Sequence, residues 1–190
     1  GKRGMRIALV GAHGTGKTTL SVALAGELGI PMIPEPVRPV LRRHGLESAD
    51  YRQLSPAQVG AVQTDILCRH LDAMVEAPDS FVADRTAADV LAYSLYWLGH
   101  VPEAQVLLTA CFQAAKAAAG WYDLVFLVPP HSGGVQADGI RITTPGHQLT
   151  IHALIRQALQ DFRYPWVEVG PAGLDDRITF CKRAIRAYTV

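Results

Sequence analysis

Residues 11–18 read Gly11-Ala12-His13-Gly14-Thr15-Gly16-Lys17-Thr18, an uninterrupted G-x-x-x-x-G-K-[ST] string. It follows an apolar run, Met5 to Val10, and opens a stretch of helical spacing that starts at Lys17. A strand, a glycine-rich turn and a helix in that order make a phosphate cradle. The glycines let the main chain turn its amide N–H groups inward as an anion nest, and the helix adds its positive N-terminal end. Lys17 brings a point charge to the β and γ phosphates, and Thr18 offers a hydroxyl to Mg²⁺. Gly11, His13, Gly14, Thr15, Gly16, Lys17, Thr18 and Thr19 are therefore the expected nucleotide contacts, with ATP or GTP and Mg²⁺ as cofactors.

The rest of the chain alternates between short apolar runs and helical patterns. Strands are expected at Met5 to Val10, Pro31 to Pro34, Ser80 to Ala83, Leu124 to Val128 and Trp166 to Val169. Helices are expected at Lys17 to Leu28, Val37 to Arg43, from Ser55 to about Met74, Thr86 to Leu98, Glu103 to Ala119, His147 to Phe162 and Asp175 to Tyr188. Gly29 supplies a C-cap, and Ser55, Pro56 and Gln58 spell a capping box. Alternating strands and helices imply a parallel sheet covered on both faces. The expected architecture is a three-layer α/β/α P-loop NTPase fold with a five-stranded parallel sheet, one domain over residues 5–190. Residues 131–146 are glycine-rich and unpatterned, a lid-like loop. Gly1 to Gly4, ahead of Met5, are set outside the fold.

Composition narrows the partners. Of 190 residues, 49% are apolar and 18% charged, with a net charge of +1. That balance is globular and gives no overall basic footprint for nucleic acid. The most apolar window, Val101 to Ala119, contains Glu103, Gln105, Gln113 and Lys116, so no membrane span is expected. Three scattered cysteines and no secretory leader suit reduced thiols in the cytoplasm. His147 and His152 are the nearest histidine pair, and no further ligand types cluster with them.

Ligands of such sheets gather beyond the carboxyl ends of the strands. Two acidic elements fall there: Glu35-Pro36-Val37 after the second strand and Asp84-Arg85-Thr86 after the third. Glu35 could receive a proton from an acceptor hydroxyl, or merely carry charge into the first turn of a helix. Asp84 could hold Mg²⁺, and Arg85 could stabilise a transferring phosphoryl group. The bland alternatives are a helix-flanking acid for Asp84 and a surface ion pair for Arg85. Thr86 and Asp89 fit a capping box, which competes with a substrate role for Asp89. Gln63 interrupts the apolar stripe of its helix; a buried amide needs partners, and this one could face a pocket and bind a substrate base or amide. Arg69 follows Asp65 by four residues and suits a solvated ion pair. Arg38, Arg42 and Arg43 could meet an acceptor phosphate or form a wet helix face.

The chain lacks the N-K-x-D and D-x-x-G strings of GTPases, and no apolar strand ends in Asp-Glu. With its Glu-Pro-Val and Asp-Arg-Thr elements it resembles the deoxynucleoside-kinase branch of P-loop kinases. It is also similar to the ribosylnicotinamide-kinase-like AAA-type ATP-binding proteins. That second similarity lies in Pro34-Glu35, Asp84-Arg85-x-x-x-Asp89, Ala92-Tyr93 and Asp138-Gly139-x-Arg141. The resemblance implies that Glu35 is the catalytic base, that Asp84 sits near Mg²⁺ and that Arg85 lies on the phosphates. It further implies Gln63 against the substrate and Arg141 in a closing loop. The expected catalytic set is Lys17, Glu35, Arg85 and Arg141; the substrate set is Glu35, Arg38, Gln63 and Asp89; the metal set is Thr18 and Asp84. The expected activity is ATP-dependent phosphotransfer to a hydroxyl of a nucleoside-like small molecule. The alternative is a nucleotide-responsive binding protein, since the stretch just after Arg141, Thr143 to Gln148, has no second arginine, and Arg156 and Arg163 are candidates only if the next helix points inward. Oligomeric state stays open, with a homodimer as one option.

Overall fold

The computed structural model describes residues 4–130, 145–170 and 172–189. Their order is β1 (Arg6–Val10), α1 (Lys17–Leu28), β2 (Met32–Ile33), α2 (Val37–Arg43), α3 (Pro56–Val75), β3 (Phe81–Asp84) and α4 (Ala87–Leu98). A 3₁₀ turn (Pro102–Ala104), α5 (Gln105–Ala118), β4 (Leu124–Leu127), α6 (Pro145–Asp161), β5 (Trp166–Glu168) and α7 (Leu174–Thr189) follow. The five strands form one sheet in the order β2-β3-β1-β4-β5, and every neighbouring pair is parallel.

Strand alternation divides the core into two. Ala8 and Val10 of β1, Phe81 and Ala83 of β3, and Val125 and Leu127 of β4 pack under α2 to α6. Ile7, Leu9, Val82, Leu124 and Phe126 face the other way, against Leu20 and Leu24 of α1 and Cys181 and Ile185 of α7. Successive side chains of a strand point to opposite faces, so a fully apolar strand requires a cover on each side. The three layers follow from that requirement.

Several ends differ from expectation by a residue or two. The helix expected at His147 already starts at Pro145, which suits a first-turn position because proline has no N–H to leave unpaired. The helix expected from Glu103 begins as a 3₁₀ turn at Pro102 and becomes α-helical at Gln105. Ser55 caps α3 in the expected manner: its hydroxyl accepts the Gln58 N–H, and the Gln58 side chain accepts the Ser55 N–H. Residues 131–144, most of the expected lid, lie outside the described residues.

Candidate active site

The β1–α1 turn wraps a small cleft of about 50 Å³, lined by Ala12, His13, Gly14, Gly16, Lys17 and Thr18, with Thr19 and Glu35 at its edge. Glycine is required at two points of this turn. A Cβ on Gly11 would stand 2.6 Å from the Val128 carbonyl oxygen. Gly16, the residue before α1, has φ of 83°, a left-handed conformation that side chains disfavour.

Helix α4 anchors the turn from behind. The Asp89 carboxylate completes the capping box with Thr86, accepting its N–H at 2.9 Å and its hydroxyl at 3.2 Å. Its other oxygen accepts the Gly11 N–H at 3.1 Å. One turn further along, the Tyr93 hydroxyl accepts the His13 N–H at 2.9 Å. Asp89 is fully buried beneath the turn. The expected substrate contact thus falls on a carboxylate already engaged by three protein donors, one of them in the turn.

Register places the acids. Leu9 pairs with Asp84 across β1 and β3, so Asp84 emerges beside the cradle at the carboxyl edge of the sheet. Lys17 Nζ lies 2.7 Å from Asp84 Oδ1 and 3.5 Å from Glu35 Oε2. The Thr18 hydroxyl donates to Asp84 Oδ2 at 2.7 Å. Burial alone would lower the Lys17 pKa, but Asp84 and Glu35 outweigh it and the net direction is up, so the ammonium stays charged.

Arg85 closes the group. Its Nη2 lies 3.3 Å from Glu35 Oε2 and donates to His13 Nε2 at 3.2 Å. A guanidinium only donates, so this His13 nitrogen is the unprotonated one. The guanidinium also sits over the Tyr93 ring, 5.1 Å from its centroid. Arg85 is 2% exposed and holds φ of 102°, which is strained for a residue with a side chain. Such strain persists only where the surroundings impose it; here β3 pairing and the ion pair do so. Burial pushes the Glu35 carboxyl up, but Arg85, then Lys17, pull it further down. Glu35 therefore stays ionised, well below the usual carboxylate range.

Beyond Arg85 the rings continue. His13 packs 4.9 Å from Tyr93, and His147 of α6 lies 4.4 Å from Tyr96 and 6.0 Å from Trp97. Tyr51 meets Trp97 at 5.3 Å. Among the described residues, His147 Nδ1 has no hydrogen-bond partner although it is buried.

The other expected residues lie elsewhere or are already engaged. Gln63 is 2% exposed; its amide donates to Ser94 at 2.9 Å and accepts the Tyr51 hydroxyl at 3.3 Å. The buried amide has found its partners within the protein. Arg38 is exposed and, with Arg42, lines a separate cleft of about 290 Å³ rather than the cradle. Arg69 pairs with Asp65 at 3.2 Å, the solvated alternative. Arg156 and Arg163 are exposed, and Arg156 lies over Trp166. Arg141 falls outside the described residues. Sequence reading missed Gln148 and Arg177, which reach the turn from α6 and α7. Each continues an apolar helical stripe, Gln148 with Ile151 and Ile155, Arg177 with Cys181 and Ile185, and that placement is the signal that could have found them.

The fold and cradle define a P-loop α/β protein. The chain belongs to the AAA domain family, whose model matches residues 6–177. No curated protein matches it by sequence. Among solved structures, it is similar to NadR protein in complex with NR, with 16% identity and a TM-score of 0.72. That match covers 98% of this chain and 51% of the other, so this chain spans about half of NadR. It is also similar to deoxyadenosine kinase from M. mycoides (17% identity, TM-score 0.72, covering 96% and 99% of the two chains). Thymidylate kinase from Candida albicans gives 15% identity and a TM-score of 0.65, over 98% and 93% of the chains. The fold is thus the one this chain shares with these solved structures, two of which are kinases by name. Among the described residues no helix is long and apolar enough to cross a membrane.

Proposed function

We propose that the chain is an ATP-dependent phosphotransferase that acts on a hydroxyl of a nucleoside-like small molecule. One observation supports this above others: Glu35, a carboxylate at the edge of the phosphate cradle, is held ionised 3.5 Å from Lys17 and 3.3 Å from Arg85. Simple nucleotide binding needs no acid there. An acceptor hydroxyl donating to Glu35 would be aimed at the phosphates that Lys17 and Arg85 attract.

The transfer forms a bond from the acceptor oxygen to the γ-phosphorus and breaks the bond from that phosphorus to the β–γ bridging oxygen. Glu35 orients the hydroxyl and takes its proton as the new bond forms; ADP leaves with the bridging oxygen. Lys17 and Arg85 stabilise charge on the moving phosphoryl group. Thr18 and Asp84 present a hydroxyl and a carboxylate 2.7 Å apart, hard oxygen donors suited to Mg²⁺. Bound there, the ion would neutralise charge on the β and γ oxygens. Among the described residues no larger cluster of His, Cys, Asp or Glu could hold a metal. Mg²⁺ commonly relies on one or two carboxylates plus phosphate and water, so this donor set fits.

Arg85 lies over Tyr93, and His147 packs against Tyr93, Tyr96 and Trp97. Aromatic faces suit a planar heterocycle attached to the acceptor ribose. A nucleoside, ribosylnicotinamide or related ribosyl compound is the acceptor class. A nucleotide-responsive binding protein is the second reading. It draws on the exposed positions of Arg156 and Arg163, away from the cradle. A coupled assay of ADP release against a panel of nucleosides separates the two. Release stimulated by an acceptor supports the kinase; tight ATP binding with no stimulation by any acceptor supports the binding protein.

A further inference from the structure

The cradle is formed by main-chain amides, and what aims those amides lies far away in sequence. Arg177 of α7 is 3% exposed, and its Nη1 donates to the Thr15 carbonyl at 2.8 Å. Its Nε donates to the Gly170 carbonyl at 3.3 Å, which ties the turn to the segment after β5. Gln148 of α6, also 3% exposed, donates from Nε2 to the His13 carbonyl at 3.1 Å. No cis peptide occurs among the described residues.

A trans peptide is planar, and its C=O and the N–H of the next residue point in opposite directions. A clamp that pulls the Thr15 carbonyl outward therefore turns the Gly16 N–H inward. Pulling the His13 carbonyl outward does the same for the Gly14 N–H. The lining agrees with this geometry: Gly14 and Gly16 border the cleft, whereas Thr15 is fully buried behind it, its hydroxyl on the Ala12 carbonyl at 3.0 Å.

We infer that Arg177 and Gln148 are positioning residues of the phosphate site. They hold two carbonyls on the outer side of the turn, so that the Gly16 and Gly14 amides already face a polyphosphate before it arrives. This inference rests on the reading of residues 11–18 as a polyphosphate cradle, though not on phosphotransfer. Without the clamps, glycine peptides can flip, and binding must then bear the cost of ordering them.

Binding of Mg²⁺–ATP and of Mg²⁺–tripolyphosphate is measured by calorimetry for wild type, Arg177→Met, Arg177→Lys and Gln148→Met, alongside thermal unfolding without ligand. The expected result is a loss of roughly tenfold or more for both ligands in Arg177→Met, the scale of one charged hydrogen bond. Arg177→Lys, which keeps a donor, recovers part of it. Gln148→Met gives a smaller loss, again equal for the two ligands. A merely structural role would lower the unfolding temperature and leave the affinity of the folded fraction unchanged, which overturns the inference. So does a loss confined to ATP. That pattern would mean direct contact with the nucleoside, for which Arg177 Nη2, without a partner among the described residues, is available. If Arg177→Met does not fold, Gln148→Met and Arg177→Lys decide alone. Wild type that binds neither ligand removes the cradle reading and this inference together; equal binding by wild type and variants removes only the inference.

Discussion

Lys17 Nζ stands 2.7 Å from Asp84 Oδ1, with both side chains almost wholly buried at the tip of the sheet. The same carboxylate takes the Thr18 hydroxyl through its second oxygen. One acid thus orders the two side chains that the G-K-T sequence brings to a phosphate. Breaking a buried pair by removing one partner costs about 3–5 kcal/mol, because the other charge stays uncompensated. Lys17→Met is expected to lose that order of stability in urea unfolding and to lose ATP binding. Lys17→Met combined with Asp84→Asn is expected to recover much of the stability and none of the binding. If the double variant is as unstable as the single, the pair is not the source of the loss.

Arg85 uses one nitrogen for both Glu35 and His13 and lays its planar group over Tyr93. An ammonium offers no such plane and no fixed fork. Arg85→Lys is expected to fold and bind ATP but to lower kcat by roughly 10- to 1,000-fold, the range seen when one transition-state donor is displaced. Steady-state kinetics with acceptor and ATP varied separately would show it; a change confined to the KM for ATP would contradict it.

Asp89 accepts three hydrogen bonds inside the protein, one of them from Gly11 in the cradle. Asp89→Ala leaves those donors buried without a partner, at about 1–3 kcal/mol for an unsatisfied group. The expected result is a lower urea midpoint together with weaker ATP binding, because the turn loses its anchor. Unchanged stability with a raised acceptor KM would contradict the anchoring role and favour substrate contact by Asp89.

His70 lies buried on α3 with Nε2 unpartnered among the described residues, and burial, assisted by Arg85, lowers its pKa to about 4. The unfolded chain binds a proton on this ring near pH 6.5 and the folded protein does not, so stability is full above 6.5 and declines as pH falls toward 4. The loss approaches about 3 kcal/mol, because each tenfold difference in proton affinity between the two states is worth about 1.4 kcal/mol. His70→Leu is expected to flatten the pH dependence of unfolding free energy between about pH 4 and 6.5. An unaltered slope would assign that proton uptake to another group.

Local rules made most of this fold legible in the sequence. The apolar run ending at Gly11, the Ser55-Pro56-Gln58 cap and the Gly29 stop each carry their cause within a few residues, and α1 and α2 begin and end where the pattern says. Glu35, Asp84 and Lys17 converge because strand register brings them together: parallel pairing sets the tip of β3 beside β1 and the tip of β2 beside β3. What stayed hidden depended on distant partners. Gln63 reads as an available amide until Tyr51 and Ser94 are placed against it. Arg177 sits on the apolar stripe of α7, but its acceptor lies 162 residues away and is met only when α7 docks on the turn. Side chains whose partners lie across the fold look the same in sequence whether they serve a ligand or the protein.

The most direct test measures kcat and ATP affinity together for wild type and Glu35→Gln, with an acceptor that stimulates ADP release. A fall of about 10²- to 10⁴-fold in kcat with ATP affinity kept is the predicted result. Equal turnover in the two proteins, or loss of ATP binding in place of turnover, would contradict a catalytic Glu35.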